Sequence, residues 1–150
     1  MTFDNTRRLL VKGILAAAAL AAAPVWALTR NKAAFAATDA DGAMKALFGD
    51  KPITESGEVG LKVPDIAENG AVVPVTVSTT LNGAKTLSIV VAANPNPLSA
   101  SFMLLPGASP EVSTRIKMGE SSDVIAAVET DAGVFIARKN VKVTIGGCGG

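Results

Sequence analysis

The sequence predicts an all-β sandwich with one short N-terminal helix and a flexible, glycine-rich C-terminal arm. Three observations lead there. From Val59 onward apolar and polar residues alternate with a period of two. Turn residues break that alternation at intervals of roughly 8 to 12 residues, the rhythm of a sandwich of about seven short strands. A helical period appears only once after the N-terminal alanine run, between Thr38 and Gly49.

Taken in order, the chain opens on Thr6-Arg7-Arg8-Leu9-Leu10-Val11-Lys12, then a weakly apolar alanine run from Gly13 to Leu28. Twin arginines ahead of such a run form the pattern of a twin-arginine export signal. The run of 16 residues is shorter than the roughly 20 a bilayer requires, so no membrane anchor is expected after cleavage. Small residues at the usual cleavage spacing occur at Ala34-Phe35-Ala36, and as a second option at Val25-Trp26-Ala27. The expected division is therefore a leader of residues 1–36, a sandwich domain of 37–145 and an arm of 146–150.

Met44, Leu47 and Phe48 fall at i, i+3 and i+4, with Thr38 and Asp41 able to cap the start and Gly49 able to end the helix. Next come Val73, Val75 and Val77, alternating with Pro74 and Thr76, then Leu87, Ile89 and Val91. Asn82-Gly83 between them is a strong hairpin signal, because both residues accept positive φ. Pro74 has no N–H and pushes its strand toward an edge or a bulge. Phe102 and Leu104 form a strand closed by Pro106-Gly107. Val112, Thr114, Ile116 and Met118 form the next, with Arg115 and Lys117 facing out, and Val124, Ala126 and Val128 follow. In the last strand the apolar set runs on even positions at Val134 and Ile136 but on odd ones at Val141, Val143 and Ile145. A one-faced strand cannot hold both phases, so a bulge near Arg138-Lys139-Asn140 is expected. Gly57, Gly60 and Gly119 read as ordinary turn residues.

The chain ends Gly146-Gly147-Cys148-Gly149-Gly150, and Cys148 is its only cysteine. Glycines on both sides make a slim, mobile arm able to enter a narrow cleft. Three extended residues beyond Ile145 carry Cys148 about 10 Å from the body. Export implies an oxidising compartment, where a lone cysteine cannot form an internal bridge and is left to intermolecular chemistry.

Composition removes several function classes. With the leader go Arg7, Arg8, Lys12, Arg30, Lys32 and Asp4, leaving 14 − 5 = 9 positive against 13 − 1 = 12 negative groups, a net −3. That balance argues against a nucleic-acid surface. The sequence contains no histidine, which removes Cys-His and Ser-His-Asp catalysis and, with one cysteine, leaves no soft metal-ligand cluster. The carboxylates Asp65, Glu68, Glu111, Glu120, Asp123, Glu129 and Asp131 lie mainly on predicted loops and turns and read as solvated. No catalytic pair is expected. Lys142, the nearest lysine, is six residues from Cys148, so the thiol is a weak nucleophile unaided. It suits a passive handle that each partner activates in turn.

The ending Val141-Lys-Val-Thr-Ile-Gly-Gly-Cys-Gly-Gly150 resembles the C-terminus of the SoxY family, the periplasmic sulfur carriers of bacterial thiosulfate oxidation. The likeness extends through Asp65-Ile-Ala-Glu-Asn-Gly70, Asn96-Pro-Leu98 and Glu111-Val-Ser-Thr-Arg-Ile116. This resemblance implies an immunoglobulin-like sandwich that carries covalent sulfur on Cys148, as S-thiosulfonate and persulfide, and has no other cofactor. It implies a cytochrome complex that conjugates thiosulfate to the thiol, a sulfate-releasing hydrolase, and enzymes that oxidise the remaining sulfane sulfur. It also implies a heterodimer with SoxZ, a small β-sandwich subunit exported bound to the carrier. The carrier itself would do no catalysis. Two other readings of the same residues stand beside it: a thiocarboxylate carrier using the Gly150 carboxylate, and an exported adhesive module dimerised through a Cys148 disulfide.

Overall fold

A computed structural model describes residues 30–144. The twin arginine Arg7-Arg8 and the arm Gly146–Gly150, with Cys148, lie outside the described residues. Residues 31–144 belong to one folded unit. Its elements are helices α1 (Lys32–Ala36) and α2 (Ala40–Phe48), then strands β1 (Ile53–Glu55), β2 (Val59–Lys62), β3 (Ile66–Ala67), β4 (Val73–Thr79), β5 (Thr86–Val91), β6 (Leu98–Met103), β7 (Glu111–Ile116), β8 (Ser122–Glu129) and β9 (Val134–Val143).

The strands form two sheets, as the all-β sandwich reading requires. The larger has the order β1-β9-β8-β5-β6, with β3 also pairing β9, and the smaller has the order β2-β4-β7. Between them lies a core that includes Val73, Val75, Val77, Leu87, Ile89, Val91, Val124, Ala126, Val128 and Val141. These are the alternate positions that the period-two pattern marks. A second apolar cluster lies on the other face of the large sheet, where Val90, Leu98, Ile125, Ala127, Val134 and Ile136 meet Ala34, Ala43, Met44 and Phe48 of the helices. The order of layers is helices, large sheet, small sheet.

That third layer explains the last strand. β8 and β9 pair without a register shift from Ser122↔Val141 to Glu129↔Val134, so the bulge expected near Arg138-Lys139-Asn140 is absent. Val134 and Ile136 face the helices, while Phe135, Ala137, Val141 and Val143 pack toward the sandwich core. Both phases are satisfied because the strand is covered on both faces. β5 shows the same thing: its residues from Leu87 to Val91 are all buried, Ser88 finding a partner in the Ser101 hydroxyl at 2.9 Å.

The Asn82-Gly83 hairpin is also corrected. Gly83 does take a positive φ of 71°, so a turn exists. Yet β4 pairs β2 and β7, whereas β5 pairs β6 and β8. The segment between Thr79 and Thr86 is long enough to cross from one sheet to the other. Pro74 sits in β4, the middle strand of the small sheet, but beyond the last β2 pair, Lys62↔Thr76, and opposite Arg115 of β7 alone. Its missing N–H falls where the strand is locally an edge. Gly60 is a β2 residue rather than a turn residue: a Cβ there would lie 2.4 Å from Ser78 Oγ.

Asp39 caps α2, its Oδ1 accepting from Gly42 N at 2.7 Å, and Gly49 closes the helix through its N–H to Lys45 O at 2.8 Å. The cap is thus Asp39, one residue after the first of the two expected ones. α1 lies in the stretch that sequence reading assigned to the leader, and its Ala34 is fully buried.

Candidate functional site

The last described residues of β9 are held on both sides. β3 runs parallel along one edge with Ile66↔Lys142 and Ala67↔Val143 in register. Lys142 N donates to Asp65 O at 2.9 Å and Thr144 N donates to Ala67 O at 3.1 Å. On the other edge the β8 ladder has ended, and a side chain takes its place: Val143 N donates to Ser121 Oγ at 2.8 Å. The chain therefore arrives at Thr144, four residues before Cys148, with its backbone fixed to two neighbouring segments.

Three loops build this end of the domain. Asn69 folds the loop after β3 by accepting from Ala71 N at 2.9 Å through its side chain and from Val72 N at 3.2 Å through its carbonyl. Gly70 O then accepts from Met118 N at 2.7 Å. A Cβ on Gly70 would stand 2.4 Å from Met118 O and 2.9 Å from Val143 Cγ1, so only glycine lets this loop lie against the end of β9. Asn94 closes the ring from the β5–β6 connection, donating to Lys117 O at 2.7 Å and accepting from Gly119 N at 3.1 Å. Lys139, four residues before the end of β9, donates to Val63 O and pairs with Asp65, each at 2.9 Å.

The three internal segments quoted for the resemblance separate in space by role. Asp65–Gly70 forms β3 and the loop that holds the end of β9. Glu111–Ile116 is β7 at one side of the small sheet. Asn96-Pro-Leu98 lies beside the helices, with Pro97 and Leu98 buried and Asn96 Nδ2 donating to Ala37 O at 3.4 Å. Sequence reasoning missed Ser121 and Asn94. The only signal for either is a serine or asparagine on a loop, which is also the commonest turn residue.

Several carboxylates, Asp123 and Glu129 among those named from sequence, make cross-strand contacts. Asp123 accepts from Asn140 at 2.8 Å, Glu129 from Thr86 at 3.1 Å and from Lys51, and Glu55 pairs with Arg138 at 2.7 Å. At the end of the domain opposite Thr144, the Lys85 ammonium hydrogen-bonds the Asp131 carboxylate. That bond, with the charge pairing added, holds the Asp131 carboxyl below and the Lys85 ammonium above their ordinary values. Both groups are exposed, so the pair is a surface contact of small worth.

Among the described residues, no group of three or more histidine, cysteine, aspartate or glutamate side chains could hold a metal ion. No helix among them is long and apolar enough to cross a membrane. A shallow concavity of about 930 Å³ on the small sheet is lined by Lys62, Pro74, Thr76, Ser113 and Arg115 among others, with no carboxylate in its wall. No pair of side chains there is arranged for acid-base or nucleophilic work. What the described residues offer is an anchorage for the segment that bears the cysteine.

A family model described as sulfur oxidation protein SoxY matches residues 44–148, so the match runs to the cysteine. Among solved structures, the sulfur carrier protein SoxY from Chlorobium limicola f thiosulfatophilum is 46% identical, with a TM-score of 0.65 over 70% of this chain and 96% of that one. A superoxide reductase (neelaredoxin) from Ignicoccus hospitalis reaches a TM-score of 0.51 at 19% identity, over 57% of this chain and 80% of that one, which is a likeness of fold alone. A search of curated proteins gave no significant match.

Proposed function

The chain belongs to the SoxY family of sulfur oxidation proteins, and from that membership we propose that it is a periplasmic sulfur carrier that holds pathway intermediates covalently on the Cys148 thiol. The observation that carries the reading is the family match ending on Cys148, four residues beyond Thr144, where the end of β9 is tied down on both edges. Four residues span at most about 14 Å, so the thiol works within a short radius of a fixed base. The carrier does no catalysis and needs no cofactor beyond the sulfur it bears.

In the proposed cycle, the thiol and thiosulfate are joined through a new S–S bond, giving the cysteine S-thiosulfonate with loss of one proton and two electrons. A cytochrome complex takes the electrons. Water then cleaves the terminal S–S bond at a hydrolase, releasing sulfate and leaving a persulfide on Cys148. Sulfane-oxidising enzymes act next on the persulfide while the carrier holds it. A SoxZ-like β-sandwich subunit forms the heterodimer, and the twin-arginine leader with Arg7-Arg8 exports the pair. Gly146, Gly147, Gly149 and Gly150 keep the thiol free of bulk, so that a partner's channel can close around it.

Replacing Cys148 by serine is expected to abolish thiosulfate oxidation in a reconstituted system and leave the melting temperature unchanged. Intact mass of the native carrier after turnover, without reductant, should show sulfur adducts on Cys148. Oxygen-for-sulfur exchange at the Gly150 carboxylate, or a doubled mass lost on reduction, would replace this reading with a thiocarboxylate carrier or a disulfide-linked module.

A further inference from the structure

Helix α1 is built into the domain. Asn31 caps it, Oδ1 accepting from Ala34 N at 3.1 Å, and the same side chain donates from Nδ2 to Ala46 O in α2 at 2.8 Å. Ala34 is fully buried in the cluster that holds Val90, Leu98 and Ile125 of the large sheet. One residue past the helix, Ala37 O accepts from Asn96 Nδ2 at 3.4 Å.

These contacts bear on where the export leader is cut. Ala34-Phe35-Ala36 has small residues at the spacing a leader peptidase reads. Such a peptidase takes its substrate extended, with both small side chains entering its pockets. Here all three residues are helical and the first is buried. A twin-arginine substrate crosses the membrane already folded, so cutting after Ala36 would require α1 to leave the sheet first. Cleavage favours exposed, unstructured chain.

We propose that the leader is removed upstream of α1, by hydrolysis of the Ala27–Leu28 peptide bond, so that residues 28–36 remain part of the mature domain. Val25 and Ala27 supply the small residues at the required spacing. Water provides the oxygen of the new Ala27 carboxylate and a proton to the new Leu28 amine. Arg30 and Lys32 then stay with the carrier, and its balance becomes 14 − 3 = 11 positive against 13 − 1 = 12 negative, a net −1. The inference rests on the export reading proposed above.

N-terminal sequencing and intact mass of the protein recovered from the periplasm test it. A start at Leu28 is expected, with Ala36→Phe processed like the native chain and Ala27→Phe persisting as precursor. A start at Ala37, or precursor persisting in Ala36→Phe, overturns the inference while leaving export intact. An unprocessed chain confined to the cytoplasm overturns the export reading and this inference with it. A second readout uses the purified mature protein. Asn31→Ala should lower the melting temperature by about 5 °C through loss of the cap and the bond to α2. An unchanged melting temperature and mass would mean that Asn31 is not in the mature chain and would also overturn it.

Discussion

Gly70 illustrates how much one missing side chain can decide at the end of β9. The loop carrying it is pressed between Met118 and Val143, and the nearest atom to an added Cβ is a backbone oxygen that cannot swing aside. Gly70→Ala should therefore destabilise the domain by about 2 kcal/mol, as overpacking does. Gly57→Ala is the control, since nothing lies within 4 Å of a Cβ there. Urea unfolding of the two variants measures the difference, and equal midpoints would mean the loop yields without cost. Ser121 acts at the same place by a different means. Its hydroxyl substitutes for a backbone partner just where the β8 ladder has stopped, the accounting that a strand end demands.

At the scale of elements, β9 serves two cores with one regular backbone. Met44 in α2 and Ile136 on β9 line the same cleft under the helices, whereas Val141 belongs to the core between the sheets. Truncating Met44 and Ile136 to alanine should thus be non-additive by about 0.5 kcal/mol or more, while Met44→Ala and Val141→Ala should simply add. A double-mutant cycle by chemical denaturation decides it, and additivity in the first pair would detach β9 from the helices. The alternation that revealed β4, β5, β7 and β8 was legible because each strand shows the inter-sheet core one apolar face. The even phase at Val134 and Ile136 was misread as a bulge because periodicity reports that a face is buried, not how many faces are. Asn82-Gly83 was misread for a related reason: turn chemistry sets a local reversal, not which sheet the next strand joins. β1 and β3 span three and two residues, too short for any period to show. α1 was hidden because Ala34-Phe35-Ala36 suits a cleavage motif and a buried helix equally well. The residues that fix the end of β9, Ser121, Asn69 and Asn94, were not legible, because their side chains bond backbone groups from loops where a serine or asparagine is also the ordinary turn residue.

For the whole molecule, the proposed export address and the proposed cargo site lie at opposite ends of the chain. Arg7-Arg8 is proposed as the address, so replacing both by lysine should leave precursor in the cytoplasm without altering the folded domain. Fractionation and immunoblotting measure this, and undiminished mature protein in the periplasm would remove the twin-arginine assignment. At the other end, a pull on the residues beyond Thr144 enters the fold at the end of β9. That strand lies between β8 on one edge and β1 and β3 on the other, with eight β8–β9 pairs in unbroken register. A tug directed along the strand loads those hydrogen bonds in shear, all together, instead of peeling them apart one by one. In the proposed cycle, a partner that grips the sulfur and then lets go would draw on the carrier as on a tether whose fixing point bears the strain across the whole sheet.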